Sequence, residues 1–202
     1  MTMNTRMKER LASQAGFALV EVMISIVIMT VGLVAMLGAL GVALAASQTS
    51  QQDMIARQLA SESMESVYTA RNTSHLSFTQ INNVSNGGIF LDGAQQVKCA
   101  GPDGILNTAD DTSCLTSGGV VCPNAGVKCL TETGPDGVLG TADDVTQSLS
   151  NYTRTVLVSQ LLDQGGNQIP TLRSVTITIQ YAVPQSSVPK SYSLTEYVSS
   201  YH

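Results

Sequence analysis

Residues 17–46 read FALVEVMISIVIMTVGLVAMLGALGVALAA and contain one charged residue, Glu21. Thirty helical residues extend about 45 Å, and about 20 apolar residues suffice to cross a bilayer. A chain of 202 residues has no core large enough to bury such a helix on all sides. The segment therefore predicts a transmembrane helix.

The sixteen residues before this segment are polar and carry Arg6, Lys8 and Arg10 against Glu9. Basic residues that flank an apolar segment stay in the cytoplasm. We therefore expect the N-terminus in the cytoplasm and everything after Ala46 on the far side of the membrane. A secretory signal differs, because its apolar core is shorter and its cleavage site follows that core.

The junction of the two segments reads GFALVE, residues 16–21. It closely resembles the cleavage motif of type IV prepilins and pseudopilins. The resemblance implies that residues 1–16 are a leader, that a peptidase cuts between Gly16 and Phe17, and that the new amine of Phe17 is methylated. It also implies that Glu21, the fifth residue after the cut, acts in filament assembly.

The same resemblance implies partners and a location. The partners are other pilin subunits, the prepilin peptidase and methyltransferase, and an inner-membrane assembly platform. The precursor would span the inner membrane once, with its head in the periplasm, before it enters a surface pilus.

Glu21 needs a partner on physical grounds as well. A lone carboxylate in a bilayer helix costs about 2.5–3.5 kcal/mol. No Lys or Arg occurs from Leu11 until Arg57, so the same segment supplies no cation. The α-amine of Phe17 in a neighbouring subunit is one partner; the alternative is a carboxyl group that is hydrated or protonated near the lipid headgroups.

Residues 47–71 continue the helix without a breaker, and their pattern is amphipathic. One half of the helical wheel is apolar and the other polar. The apolar half holds Ile55, Ala56, Leu59, Ala60, Met64 and Val67, and the polar half holds Arg57, Gln58, Ser61, Glu62 and Glu65. We expect the helix to end near Arg71, with its apolar half against a β domain.

The head, residues 72–202, ends in β-rich sequence. Residues 152–160 favour a strand, residues 175–181 alternate apolar and polar, and Tyr192, Leu194 and Val198 mark a final strand. Gly165-Gly166 with Pro170, and Pro184 with Pro189, mark the two connections. The predicted fold class is α+β and pilin-like: one long N-terminal helix on a small antiparallel sheet.

A motif occurs twice in the Gly/Asp/Cys-rich insertion, residues 99–144. GPDGILNTADD at 101–111 recurs as GPDGVLGTADD at 134–144. Each copy offers carboxylate and turn carbonyl oxygens, which Ca²⁺ prefers, and resembles acidic Gly-Asp calcium loops of secreted bacterial proteins. The candidate ligands are Asp103, Asn107, Asp110, Asp111, Asp136, Asp143 and Asp144.

The repeat has a second interpretation, since Pro-Asp-Gly forms a β-turn without any metal. The motif is not an EF-hand, because its Gly follows the first Asp directly. The second copy is the poorer ligand set, with Gly140 where the first has Asn107. A plain turn and a calcium loop both remain open; no organic cofactor is expected.

Cys99, Cys114, Cys122 and Cys129 would lie outside the cytoplasm, where disulfides persist. Four cysteines allow three pairings. We prefer Cys99–Cys114, which brackets the first repeat, with Cys122–Cys129, which closes a small loop. Zinc is disfavoured because no close CxxC pair is present.

Composition limits the function. Ten basic residues against fifteen acidic give a net charge of −5, which argues against nucleic-acid binding. His75 and His202 are the only histidines, and no GxSxG, HExxH or phosphate loop appears, so we expect no enzyme. The leading hypothesis is a minor pilin; the alternatives are a type II secretion pseudopilin and a pilus-borne, calcium-dependent adhesin.

Overall fold

One α-helix, α1, covers Met3–Asn72 in the computed structural model of the chain. The structure describes residues 3–114, 122, 126–183 and 187–201, with side chains from Leu19 onward. The helix ends at Asn72, one residue after the predicted Arg71. Ser74, two residues further on, takes a left-handed conformation (φ 60°). The chain divides into two compact units, Met1–Gln48 and Thr49–His202.

The second unit contains a four-stranded antiparallel sheet in the order β1-β4-β5-β6. A separate hairpin pairs β2 with β3, and two 3₁₀ helices follow α1 at Phe78–Gln80 and Val84–Asn86. The strands are β1 Gln95–Gln96, β2 Cys129–Glu132, β3 Val145–Ser148, β4 Tyr152–Leu162, β5 Gln168–Tyr181 and β6 Lys190–Ser199. The predicted α+β architecture is confirmed.

The three long strands form the predicted meander. Val156 lies opposite Ile177, which lies opposite Leu194. Alternate residues of β5 are buried, as the pattern predicted: Val175, Ile177, Ile179 and Tyr181. The intervening threonines Thr176 and Thr178 bond to hydroxyls of β6 on the other face.

Pro170 departs from the prediction that it marks a connection. It lies inside β5, next to a shift in register between Gln160 and Leu162 of β4, and before the β6 ladder begins at Leu172. A residue without an N–H is tolerated in a strand where the ladder is interrupted. Pro189 directly precedes β6 as predicted, and Pro184 lies outside the described residues.

The C-terminal part of α1, from Thr49, packs its apolar half on this sheet. The predicted contact residues are buried or half-buried, and the predicted polar half is exposed. Ser63 is also buried, which the pattern did not predict; its hydroxyl donates to the Leu59 carbonyl and so needs no water. The core has this helix on one side and β4–β6 on the other.

Two buried polar side chains connect β4 to the rest of the unit. Asn83 donates to the carbonyl of Val156 at 2.8 Å and accepts from the N–H of Val158 at 2.9 Å. Its side-chain amide thus makes the two hydrogen bonds that a neighbouring strand would make with the backbone at that edge of β4. Arg154 is fully buried and is described with the acidic loops below.

Both disulfides have the predicted pairing, Cys99–Cys114 and Cys122–Cys129. The first encloses the first repeat, and the backbones of Cys99 and Thr112 also exchange two hydrogen bonds there. The second joins the start of β2 to Cys122. A segment with few apolar residues is thereby held together covalently.

The Asn83 contacts give a stability prediction. Asn83→Ala should lower the free energy of unfolding by about 2–3 kcal/mol, because it leaves a buried N–H and a buried carbonyl of β4 without partners. Asn86→Ala, on the exposed side of the same loop, should cost below about 0.5 kcal/mol. Urea unfolding of both variants, followed by circular dichroism, checks this; equal losses would contradict it.

Candidate functional site

The first unit presents an apolar surface. Seventeen large apolar side chains between Leu19 and Leu44 are exposed, from 49% for Leu40 to 73% for Val42. The helix is long and apolar enough to cross a membrane. So much apolar area is unstable in water, and lipid or other apolar helices are its suitable surroundings.

Glu21 lies on this surface one turn before Ser25. The Ser25 hydroxyl donates to the Glu21 backbone carbonyl at 2.7 Å and so does not occupy the carboxylate. The chain has no Lys or Arg between Leu11 and Arg57, so a cation for Glu21 has to come from outside this segment. Gly16 and Phe17 lie in the same helix, five and four residues before Glu21.

The glycines of this segment do not break the helix. Gly32, Gly38 and Gly41 are all helical, and a Cβ at any of them would meet nothing within 4 Å. The absent side chains leave space on the helix surface rather than a kink. Small residues of this kind let another membrane helix approach closely.

The two acidic loops have the same internal geometry. In the first, the N–H of Gly104 bonds to the Gly101 carbonyl at 3.1 Å, and the Asp103 carboxylate accepts from the N–H of Ile105 at 2.8 Å. In the second, Gly137 bonds to Gly134 at 3.0 Å and Val138 to Asp136 at 2.8 Å. The sequence repeat is therefore a structural repeat built on a β-turn.

The last two aspartates close each loop. Thr108 donates to Asp110 at 2.6 Å and Thr141 to Asp143 at 2.5 Å; these hydrogen bonds lower the pKa of both carboxyls. The N–H groups of Asn107 and Gly140 donate to Asp111 at 2.8 Å and Asp144 at 2.6 Å. The carboxylates thus stabilise the loop backbone.

The Asn107/Gly140 difference has a conformational reason. Asn107 has φ 69° and Gly140 has φ 92°, a region open to Gly and, among other residues, best tolerated by Asn or Asp. The substitution therefore preserves the loop. It does not by itself mark the second copy as a degraded ligand site.

The two loops differ in their surroundings. The side chain of Asp111 in the first loop is 6% exposed and forms an ion pair of 3.2 Å with Arg154 on β4. The Arg154 guanidinium also donates to Ser63 of α1 at 3.1 Å. One guanidinium thus joins loop, helix and sheet. Asp144, the equivalent residue of the second loop, forms no ion pair among the described residues.

Burial dominates the electrostatics of the Asp111–Arg154 pair. It raises the pKa of Asp111, against the opposing effects of the Asn107 N–H and the Arg154 charge. It lowers the pKa of Arg154, against the opposing charges of Asp111 and Glu62. Desolvation is the largest effect on both groups, so removal of either partner leaves the other as an unpaired charge in a poorly solvated site.

The donor set only partly suits calcium. Over the described ranges, no three or more His, Cys, Asp or Glu side chains are arranged to hold a metal ion. Against this, Asn107 Oδ1 in the first loop is buried without a hydrogen-bond partner, and an oxygen in that state is a suitable ligand. Calcium binding by either loop stays a prediction.

A cluster of polar and aromatic side chains near the start of the second unit was not predicted from the sequence. The Tyr181 hydroxyl donates to Asp53, Lys190 lies 3.8 Å from the same carboxylate, and Tyr152 stacks on Tyr181 with ring centroids 5.5 Å apart. Burial raises the pKa of both tyrosines to about 12. The four residues are far apart in the sequence. Only the two tyrosines, through the alternation in β4 and β5, could be predicted to share a face of the sheet.

Of the two histidines, the structure describes His75. His75 is exposed just after α1, as expected for a surface residue, and His202 lies outside the described residues.

Comparison with known proteins matches one short segment. Residues 11–37 match the family described as the prokaryotic N-terminal methylation motif, the signature of type IV prepilin leaders. The match includes Gly16, Phe17 and Glu21, and it confirms the resemblance found in the sequence. No curated protein and no solved structure matches the chain. The motif supports a pilin-like or pseudopilin protein with a membrane-anchored precursor, and its family is structural rather than enzymatic.

The repeat contains its own matched control for the buried ion pair. Asp111→Asn should lower the free energy of unfolding by about 3–5 kcal/mol, because Arg154 is left as an uncompensated buried charge. Asp144→Asn, at the equivalent position, which forms no ion pair among the described residues, should cost below about 1 kcal/mol. Urea unfolding of the two variants measures the difference, and similar losses would show that Asp111 does not hold the loop.

Calorimetric titration of the mature chain with Ca²⁺ tests the loops as ligands. The calcium interpretation expects a saturable heat that Asp110→Asn and Asp143→Asn together abolish. The plain-turn interpretation expects a flat trace, and that result would end the calcium prediction.

Proposed function

We propose that the chain is a minor pilin, a structural subunit that assembles into a type IV pilus through its N-terminal helix. The observation that carries this proposal is the prepilin signature at residues 11–37, placed at the start of a helix whose apolar side chains are exposed. In a monomer in water, exposure of that apolar surface is unfavourable. A subunit that waits in a bilayer and then packs against other helices uses all of it.

Processing is the first step. The prepilin peptidase cuts between Gly16 and Phe17, and the methyltransferase modifies the new amine of Phe17. The leader holds three basic residues and one acidic residue, so its loss takes the formal net charge from −5 to −7. The basic flank that held the N-terminus in the cytoplasm is removed in the same step.

Glu21 then guides assembly. Its carboxylate costs about 2.5–3.5 kcal/mol inside a bilayer. The α-amine of Phe17 on a neighbouring subunit offers a charge of opposite sign, and the pair offsets that cost only when two subunits are in register. One acid in an apolar helix thereby selects the axial position at which a new subunit is added.

The head suits exposure outside the cell. Its two disulfides persist in oxidising surroundings, and its acidic loops keep the surface soluble. In the precursor the head faces the periplasm, where the inner-membrane assembly platform and other pilin subunits meet it. The long disulfide-bonded insertion, residues 99–144, favours a pilus subunit over a secretion pseudopilin, whose heads resemble only the short β tail.

Deletion of the gene separates the two filament types. A pilus subunit predicts that surface pili are lost or reduced while protein export is unchanged. Loss of export with normal pili would assign the chain to a type II secretion pseudopilus instead.

Substitution of Glu21 tests the assembly mechanism. We expect Glu21→Ala and Glu21→Gln to be processed normally but to enter filaments at least about tenfold less, since each removes the charge that pairs with the neighbouring amine. Ser25→Ala, one turn further along the helix, is the matched control and should assemble normally. Immunoblots of sheared filaments and of membranes give both amounts; full incorporation of Glu21→Ala would contradict the mechanism.

A further inference from the structure

The second acidic loop, Gly134–Asp144, has the geometry of the first, but its apolar side chains are not buried against the rest of the described structure. Ile105 and Leu106 of the first loop are 2% and 3% exposed, whereas their counterparts Val138 and Leu139 are 56% and 53% exposed. The backbone hydrogen bonds that present each pair are the same in both loops. The second loop therefore displays an apolar pair in the conformation that the first one buries.

The first loop shows how this motif docks. Ile105 enters the core beside α1, and the N–H of Leu106 lies 3.4 Å from the Ser66 hydroxyl of that helix. Asp111, at the end of the motif, pairs with the Arg154 guanidinium. The receiving surface thus combines a helix face, an apolar contact and an arginine.

The second loop lacks such a cation. Asp136, Asp143 and Asp144 make no ion pair among the residues that the structure describes. Lys128, the one basic residue between the two loops, is 2.5 Å from Glu62 on α1. The loop therefore combines exposed apolar side chains with uncompensated negative charge.

A complementary surface lies on the same chain. The Arg57 guanidinium is exposed over the ring of Tyr192, 5.3 Å from its centroid, and forms no ion pair within the described ranges. Met54, one turn earlier on α1, is 62% exposed. Met54, Arg57 and Tyr192, here called the acceptor surface, again combine a helix face, apolar contact and an arginine.

We propose that the second acidic loop of one subunit docks on the acceptor surface of a second copy of this chain, with Leu139 against Met54 and Tyr192 and with Asp144 paired to Arg57. The proposal rests on the proposed function, because copies of a membrane-anchored subunit share one bilayer and meet there before assembly. Of the two loops, the first fixes the head internally and the second links neighbouring heads. Charge complementarity selects this occupant: the loop is acidic, and the Arg57 guanidinium forms no ion pair in the part of the chain that the structure describes.

Photocrosslinking of the full mature chain in detergent micelles tests the contact. A benzophenone amino acid at Leu139 should yield a dimer whose crosslinked peptide lies within residues 49–71 or 190–199. The same probe at Leu162, which is 60% exposed at the end of β4, is the matched control and should yield little dimer. No dimer, equal dimer from both positions, or attachment elsewhere would overturn the proposal.

A charge exchange separates this contact from association of the apolar helices. Asp144→Arg and Arg57→Asp should each lower the Leu139 crosslink about fivefold, as expected for one exposed ion pair with its packing. The double variant should regain at least half of the lost crosslink; recovery is incomplete because Asp144→Arg also removes the acceptor of the Gly140 N–H. Loss without restoration would overturn the pairing, and thermal unfolding of each variant shows that the head still folds.

Incorporation into sheared filaments, scored for the same variants, distinguishes the two claims. A wild-type chain that enters filaments but gives no Leu139 crosslink overturns the docking proposal and leaves the pilin function intact. A chain that gives the crosslink in micelles but never enters filaments overturns the pilin function and leaves the contact between copies intact.

Discussion

The carboxylate of Glu21 is the constraint on which the proposed assembly of this protein depends. It lies on a helix whose other side chains from Leu19 to Leu44 are almost all apolar, and the chain has no basic residue between Leu11 and Arg57. A charge in that position is costly until a partner arrives. In the proposed mechanism, the α-amine of Phe17 on another subunit pairs with this carboxylate, and that pairing would account for cleavage, methylation and the acid within one short motif. The rest of the helix supplies packing area, and the head determines what the assembled subunit presents.

The head is organised by a different buried charge. Arg154, near the start of β4, bonds to Ser63 of α1 and to Asp111 of the first loop, so three elements that are distant in sequence meet at one guanidinium. Desolvation lowers the pKa of this arginine, and its guanidinium is met there by the Ser63 hydroxyl and the Asp111 carboxylate. The disulfide Cys99–Cys114 encloses the same loop, so that a segment poor in apolar residues is held by covalent and ionic contacts together.

Periodicity was sufficient to predict the regular elements. The apolar run, the amphipathic stripe of α1 and the alternation in β5 each have a single physical interpretation, and the structure confirms all three. The buried polar residues could not be predicted, because Ser63, Asn83 and Arg154 look like surface residues in the sequence. Their burial depends on partners 43 to 91 positions away. Pro170 was misplaced for a similar reason, since the register shift that tolerates it belongs to β4. The repeat was visible in sequence, but its two different environments were not.

The most direct measurement of the central claim is N-terminal mass spectrometry of the native protein recovered from sheared surface filaments. If the chain is a processed pilin, it begins at Phe17, carries one methyl group on its α-amine and is found in the filament fraction. A native chain that still carries residues 1–16, or that is absent from filaments and confined to the membrane, would contradict it.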